Sequence, residues 1–294
     1  MRVIIDTDPG IDDAIAIFYA LRHPDIDVAL MTTVAGNIGL DVTSRNAGRI
    51  ATLAGVETPV HAGAATPLTR APDPELAIHG TDGLGGVTLP DAATPRSPVP
   101  ALEAMAAVLM AEDANTIDLL CLAPLTNIAL LLDHAPEAAS RIRRVIAMGG
   151  AIFEPGNVHG TRAEFNIAHD PEAAARVLRA RLPLTLIPLD ATRQIRADAD
   201  YVASLRALNT SAATTCADLI DAYFDAAKGR ESRPLHDPCV PLLALHPALF
   251  TVETYDLAVD LATGALIPGK HEISVAMSLD ADALRNELRL GLSR

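Results

Sequence analysis

Basic residues are scarce in this chain. Its 294 residues include 23 lysines and arginines against 37 acidic residues, a formal charge of −14. No basic footprint is available to neutralise the phosphates of a nucleic-acid polymer or the headgroups of an anionic membrane. Small solutes and cations are the partners such a balance favours. Cysteine is nearly absent: Cys121, Cys216 and Cys239 lie far apart and form no CxxC pair. That excludes a disulfide framework and a zinc site, and points to reduced, buried thiols in a reducing compartment. No apolar run approaches the ~18 residues of a membrane span. The opening MRVIIDTDPG meets an acid after three apolar residues, unlike a secretory leader. A soluble, cytoplasmic protein is expected. Half the residues are hydrophobic and a fifth are charged, so a sizeable core forms and disorder is excluded. Without a composition break or an internal repeat, one domain over residues 1–294 is the expectation.

Val3–Ile5 is a short apolar run ending at Asp6. A Pro-Gly turn follows, and then helical apolar spacing from Asp12 to Leu21, with two acids where a helix N-terminus favours negative charge. The strand–loop–helix unit recurs. A strand near Val28–Val34 precedes a helix near Val42–Leu53, and Ile117–Leu122 precedes a helix beginning near Thr126. Val145–Met148 runs into Gly149-Gly150, and Leu184–Leu189 into Asp190. Continuous apolar strands alternating with helices predict an α/β fold, an open and mostly parallel sheet flanked by helices. Residues 63–100, rich in Gly, Pro and Thr, read as long loops. A helical stretch over 209–235 decays into Lys228–Pro234, read as a mobile flap, and Phe250–Leu261 with Ile273–Leu279 as an antiparallel pair at one edge.

In open α/β sheets ligands bind outside the carboxyl ends of the strands. The first strand leads into Asp6, Asp8, Asp12 and Asp13, the second into Gly36-Asn37, the third into Ala-Pro-Leu-Thr-Asn and the fourth into Met148-Gly-Gly. Asn157, Glu164 and Asn166 follow in a loop, and His236-Asp237 opens a later helix. Four carboxylates within eight residues cannot all ionise side by side without a cation. Asp8 and Asp13 could converge on one metal, with Asp237 arriving from afar, and the carbonyl of Leu122 would suit calcium. Oxygen donors without a Cys/His cluster indicate calcium or magnesium. The plainer alternative is that Asp12 and Asp13 cap a helix while Asp6 and Asp8 shape a turn.

The segment DTDPGIDDA (Asp6–Ala14) resembles the inosine–uridine-preferring nucleoside hydrolase family. VAGN (34–37), HGTDGLGG (79–86), APLTN (123–127), MGG (148–150), GNV with AEFN (156–158 and 163–166) and HDPC (236–239) follow in the family's order. The resemblance implies an α/β open-sheet fold, a homodimer or homotetramer, and calcium-dependent hydrolysis of the N-glycosidic bond of ribonucleosides. It further implies that Asp8, Asp13, the Leu122 carbonyl and Asp237 hold the metal. Asp12, Asn37, Asn166 and Glu164, helped by Asn157 and Met148, would bind ribose hydroxyls, and His79 and His236 would lie on the nucleobase side. Two departures are visible. Ala123 stands where glycine is usual beside the metal-binding carbonyl, and one extra residue separates Asn157 from Glu164.

Cleaving a ribose–base bond builds positive charge on the sugar and negative charge on the base. Three carboxylates around one divalent cation leave about −1, which favours an oxocarbenium-like sugar. Asp8 is the expected general base for a water activated by the metal. His236, able to titrate near neutrality, is the expected acid for the departing base. The chain has no tryptophan, whereas family members specific for purines stack the base on one. Together with two histidines, this looks more like the pyrimidine-preferring or non-specific members. Tyr223 or Phe224 would face the base, and a free nucleoside is the expected substrate.

Two other readings compete. Asp6-Thr7-Asp8 superficially resembles the aspartyl loop of haloacid-dehalogenase phosphatases, but Gly10 stands where Thr or Val belongs and the only lysines are Lys228 and Lys270. A catalytically silent, calcium-dependent ribonucleoside-binding protein would have lost Asp8 or the histidines, and neither is lost.

Overall fold

A computed structural model describes residues 1–226 and 233–294. Its strands are β1 (Arg2–Thr7), β2 (Asp27–Thr33), β3 (Val60–Ala62), β4 (Ile117–Cys121), β5 (Arg144–Met148), β6 (Leu184–Ile187), β7 (Arg196–Ala197), β8 (Arg233–Pro234), β9 (Phe250–Val259), β10 (Leu266–Pro268) and β11 (His271–Leu279). Nine form one sheet in the order β10-β9-β11-β6-β5-β4-β1-β2-β3, and β7 pairs with β8 separately. From β3 to β11 all neighbours run parallel, and within this sheet β9 is antiparallel to both β11 and β10.

The continuous apolar strands have the cause expected of them. β4 is buried along its whole length and β1 at all but its first residue, because helices cover both faces of the sheet. One face packs against helices Ile11–Arg22, Leu40–Ala54, Ser211–Ala226, Cys239–Leu245 and Ala281–Leu292. The other packs against Ala101–Ala111, Thr126–His134 and Pro171–Arg179.

The strand order reverses at β1. From there β2 and β3 lead one way and β4, β5 and β6 the other, so the loops after β1 and β4 diverge and leave a crevice. Leu122 is fastened to this point by its N–H, which donates to the Asp6 carbonyl at 2.8 Å.

Three local readings change. Asp6 belongs to β1 rather than to the loop after it, and its carboxylate accepts hydrogen bonds from Thr32 Oγ1 at 2.5 Å and Asn127 Nδ2 at 2.8 Å. His79 ends a short helix, Leu76–His79, inside the stretch read as loop. The edge pair gains a third strand, β10, outside β9. Of the segment Lys228–Pro234 read as a flap, residues 228–232 lie outside the described residues.

Candidate active site

Four aspartates gather at the carboxyl end of β1. Gly10 precedes helix Ile11–Arg22, so Asp13 is its third residue and its Oδ2 accepts the Gly10 N–H at 3.0 Å, half of a capping arrangement. Asn37 Nδ2 donates to the same oxygen at 3.0 Å, while Thr7 Oγ1 and the Asp8 N–H serve Oδ1 at 2.6 and 3.2 Å. The plainer capping reading thus holds for Asp13, but it does not account for the company Asp13 keeps. Asp12, Asp13 and Asp237 each place a carboxylate oxygen within 4.8 Å of the others. Asp237 reaches them from the turn before helix Cys239–Leu245.

Asp8 adjoins this triple. Its Oδ2 accepts the Asn37 N–H at 2.6 Å, and its Oδ1 is buried without a partner. Gly36 makes that approach possible, since a Cβ there would overlap Asp8 Oδ2. Burial, and then the charge of Asp13, push Asp8 well above the ordinary carboxylate range. Asp237 is raised in the same way by burial and by Asp12, Asp13 and Asp8, and Asp12 is raised to about 7 by burial and Asp13. No lysine or arginine forms an ion pair with these four among the described residues. Buried carboxylates held this close, one with an orphaned oxygen, fit a divalent cation that takes hard oxygen donors. The tightest triple contains Asp12, whereas the sequence reading put Asp8 in its place.

A cavity of about 890 Å³ opens in front of the cluster. Ten of the twelve site residues named from the sequence line it: Asp12, Asn37, His79, Leu122, Met148, Asn157, Glu164, Asn166, His236 and Asp237. Asp8 and Asp13, with no exposed surface, lie behind it. Asn166 Nδ2 donates to the carbonyls of Leu122 at 2.9 Å and Met148 at 3.2 Å, which ties together the ends of β4 and β5. Glu164 is the N-cap of helix Phe165–His169, accepting the N–H groups of Gly150, Asn166 and Ile167 at 3.0, 2.9 and 3.2 Å. Burial nevertheless raises it to about 7, against the pull of those donors. Asn157 is exposed, and its Oδ1 accepts the Phe165 N–H at 2.8 Å.

Two histidines line the same cavity. His79 Nδ1 accepts the Ile11 N–H at 3.1 Å, and burial lowers its pKa to about 4, so at neutral pH it is uncharged with its proton on Nε2. His236 Nδ1 lies 2.7 Å from Thr192 Oγ1. Burial, followed by the nearby Arg193, Arg233 and Arg196, lowers His236 to about 3. Both causes favour the uncharged imidazole, whereas the sequence reading expected His236 to titrate near neutrality. Of the two aromatic candidates, Tyr223 lines the cavity, 6.4 Å from the His79 ring, whereas Phe224 packs against the core.

A profile of inosine–uridine preferring nucleoside hydrolases matches residues 3–286. The chain belongs to the nucleoside hydrolase family. It is 39% identical to the non-specific ribonucleoside hydrolase RihC of Shigella boydii, over 88% of this chain and 84% of that protein. Among solved structures it superposes on a purine-preferring ribonucleoside hydrolase from Gardnerella vaginalis with a TM-score of 0.92 and 31% identity, covering 100% and 98% of the two chains. A plant nucleoside hydrolase aligns with a TM-score of 0.89 and 29% identity over 99% and 98%. As a nucleoside hydrolase the chain is an enzyme that hydrolyses the N-glycosidic bond of ribonucleosides.

Sequence reasoning missed several residues of this hydrolase's cavity. Arg193 and Arg196 follow β6, and Thr192 beside them holds His236. The strand-end rule pointed to this loop through Asp190 but could not rank its other polar residues. Arg233 lies three residues before His236, next to the undescribed segment. No motif marks it.

Proposed function

We propose that this hydrolase cleaves free ribonucleosides, pyrimidine nucleosides among them, with calcium as its cation. It would act as a single-domain protein assembled into a homodimer or homotetramer in the cytoplasm. One observation carries the reading: Asp12 and Asp237, part of a nest of four buried aspartates with no lysine or arginine partner among the described residues, line one cavity with two histidines. RihC, the relative described as non-specific, favours a broad base range.

Asp8, Asp13, Asp237 and the Leu122 carbonyl would hold the cation, with Asp12 beside them. When bound, the cation supplies Lewis acidity and anchors vicinal hydroxyls. Asp12, Asn37, Asn166 and Glu164, with Asn157 and the Met148 carbonyl, orient the ribose from the acidic wall. That wall favours a sugar carrying positive charge at the transition state. Asp8, whose Oδ1 has no other partner, accepts the proton of the attacking water. His79 and His236 face the base. In the tautomer in which Thr192 Oγ1, 2.7 Å away, donates to Nδ1, the His236 proton sits on Nε2, and the imidazole gives a hydrogen bond to the departing base without first titrating.

Reducing-sugar release from uridine, cytidine, inosine and adenosine, with and without a calcium chelator, tests this. Chelator-sensitive release with calcium rescue is expected, with uridine or cytidine among the turned-over substrates. Chelator-insensitive release would refute the cation assignment, and turnover of purine nucleosides alone would refute the base range.

A further inference from the structure

The cavity carries both signs of charge. Asp12 and Asp237 line it, and so do Arg193, Arg196 and Arg233. These arginines are not equivalent. Arg193 is committed to Glu154 at 2.9 Å and to the Pro155 carbonyl at 2.6 Å. Arg233, half-buried on β8, stacks its guanidinium 4.5 Å from the centre of the Tyr223 ring. Its Nε is buried without a hydrogen bond, and no carboxylate pairs with it among the described residues. Tyr223 in turn lies 6.4 Å from His79, so cation, phenol ring and imidazole form one continuous flank of the cavity.

We propose that Arg233 is a catalytic contact to the leaving base, its guanidinium holding the negative charge that the base acquires as the glycosidic bond breaks. The buried Nε–H of Arg233 lacks an acceptor, and a ligand that supplies one relieves that cost. An oxo-nucleobase does so, because the electron pair left on its ring nitrogen spreads onto the adjacent carbonyl oxygen. A guanidinium presents planar paired donors and stays protonated throughout. Stacking on Tyr223 orients those donors before the substrate arrives. The step balances as follows. The C1′–N bond breaks with its electron pair going to the base, and the C1′–O bond forms from water. Asp8 takes the water's proton, and the base, leaving as an anion held by Arg233, later takes a proton from solvent.

The inference rests on the ribonucleoside reading above and adds the residue that stabilises the leaving group. Steady-state kinetics of Arg233→Gln and Arg233→Lys on uridine and on p-nitrophenyl riboside test it, because the aryl group departs without help. Loss of a preorganised donor to developing charge lowers the uridine kcat about 100-fold, while the aryl riboside falls far less. Arg233→Lys keeps the charge without the fork and recovers part of the loss. Should Arg233→Gln fail to fold, the lysine variant must still lose more on uridine than on the aryl riboside. Equal losses on both substrates would assign Arg233 to packing alone, and an unchanged uridine kcat would remove it from the site. A wild-type enzyme inert on both would overturn the ribonucleoside reading, and this inference with it.

Discussion

Acidifying the hydrolase from about pH 7.5 to about 5.5 should erode the stabilisation it gains from a divalent cation. Asp12 sets the scale. Its pKa is raised to about 7 in the metal-free fold, against 3.8 ordinarily. A raised carboxylate contributes stability fully below its unfolded pKa and loses it as pH rises through the folded value. The metal-free fold therefore carries about 4 kcal/mol of penalty at Asp12 near pH 7.5, from about three pKa units at ~1.36 kcal/mol each. It sheds about 2 kcal/mol of this by pH 5.5, where protonation of Asp12 has become favourable. A cation held beside Asp12 needs that carboxylate ionised, so proton competition there weakens binding about 25-fold over the same interval. Asp8 and Asp237, also raised, add to the effect. At about 2.1 cal/mol/K per residue the chain unfolds with an entropy near 0.6 kcal/mol/K, so 2 kcal/mol is roughly 3 °C in Tm. The assay is thermal unfolding of metal-stripped protein with and without added calcium at both pH values. Comparing the two states removes titrations common to both, such as those of the buried histidines. A calcium-induced rise in Tm that stays constant or grows on acidification would refute the placement of the cation among these carboxylates.

Three further outcomes are expected. Thr192→Val removes the group that holds His236 Nδ1. It should lower kcat on uridine about tenfold with little change in KM, and a loss confined to KM would show that Thr192 only shapes the cavity. Gly36→Ala puts a methyl group against Asp8 Oδ2. Calcium affinity, read by titration calorimetry, should fall without removal of any ligand, and unchanged affinity would show that Asp8 lies outside the cation site. Asp118, fully buried, accepts from Arg143 and Arg144 at 2.5 and 3.0 Å at the opposite end of β4. Asp118→Ala should reduce stability by about 3 kcal/mol in urea unfolding, with kcat preserved in the folded fraction.

The parallel sheet was legible because apolar runs alternating with helices have few other solutions, and its strand ends picked out the residues of one cavity. Thr192 and Arg233 were not legible. Each acts through a contact made across the fold, Thr192 to His236 and Arg233 onto Tyr223, and no local spacing records such a pairing. The surroundings of His236 were hidden in a similar way. HDPC announces a histidine beside an acid, but its protonation is governed by burial and by arginines on other segments. Asp6 was placed after the strand because an aspartate inside a buried strand is improbable until Thr32 and Asn127 are seen to donate to its Oδ1.

Asp13 and Asp237 meet at the crevice, although more than two hundred residues of chain separate them. A cation gripped by both would close about three-quarters of the polypeptide into a ring. Ring closure of that size removes conformational freedom from the unfolded ensemble, and the entropy grows only logarithmically with length. The same ion that serves the chemistry would then act as a reversible clasp between the first strand–helix unit and the Asp237 turn. It could engage only after the intervening strands have been laid down. Folding and metal loading would finish together, and a chain stripped of its ion would loosen first where these two distant segments are joined.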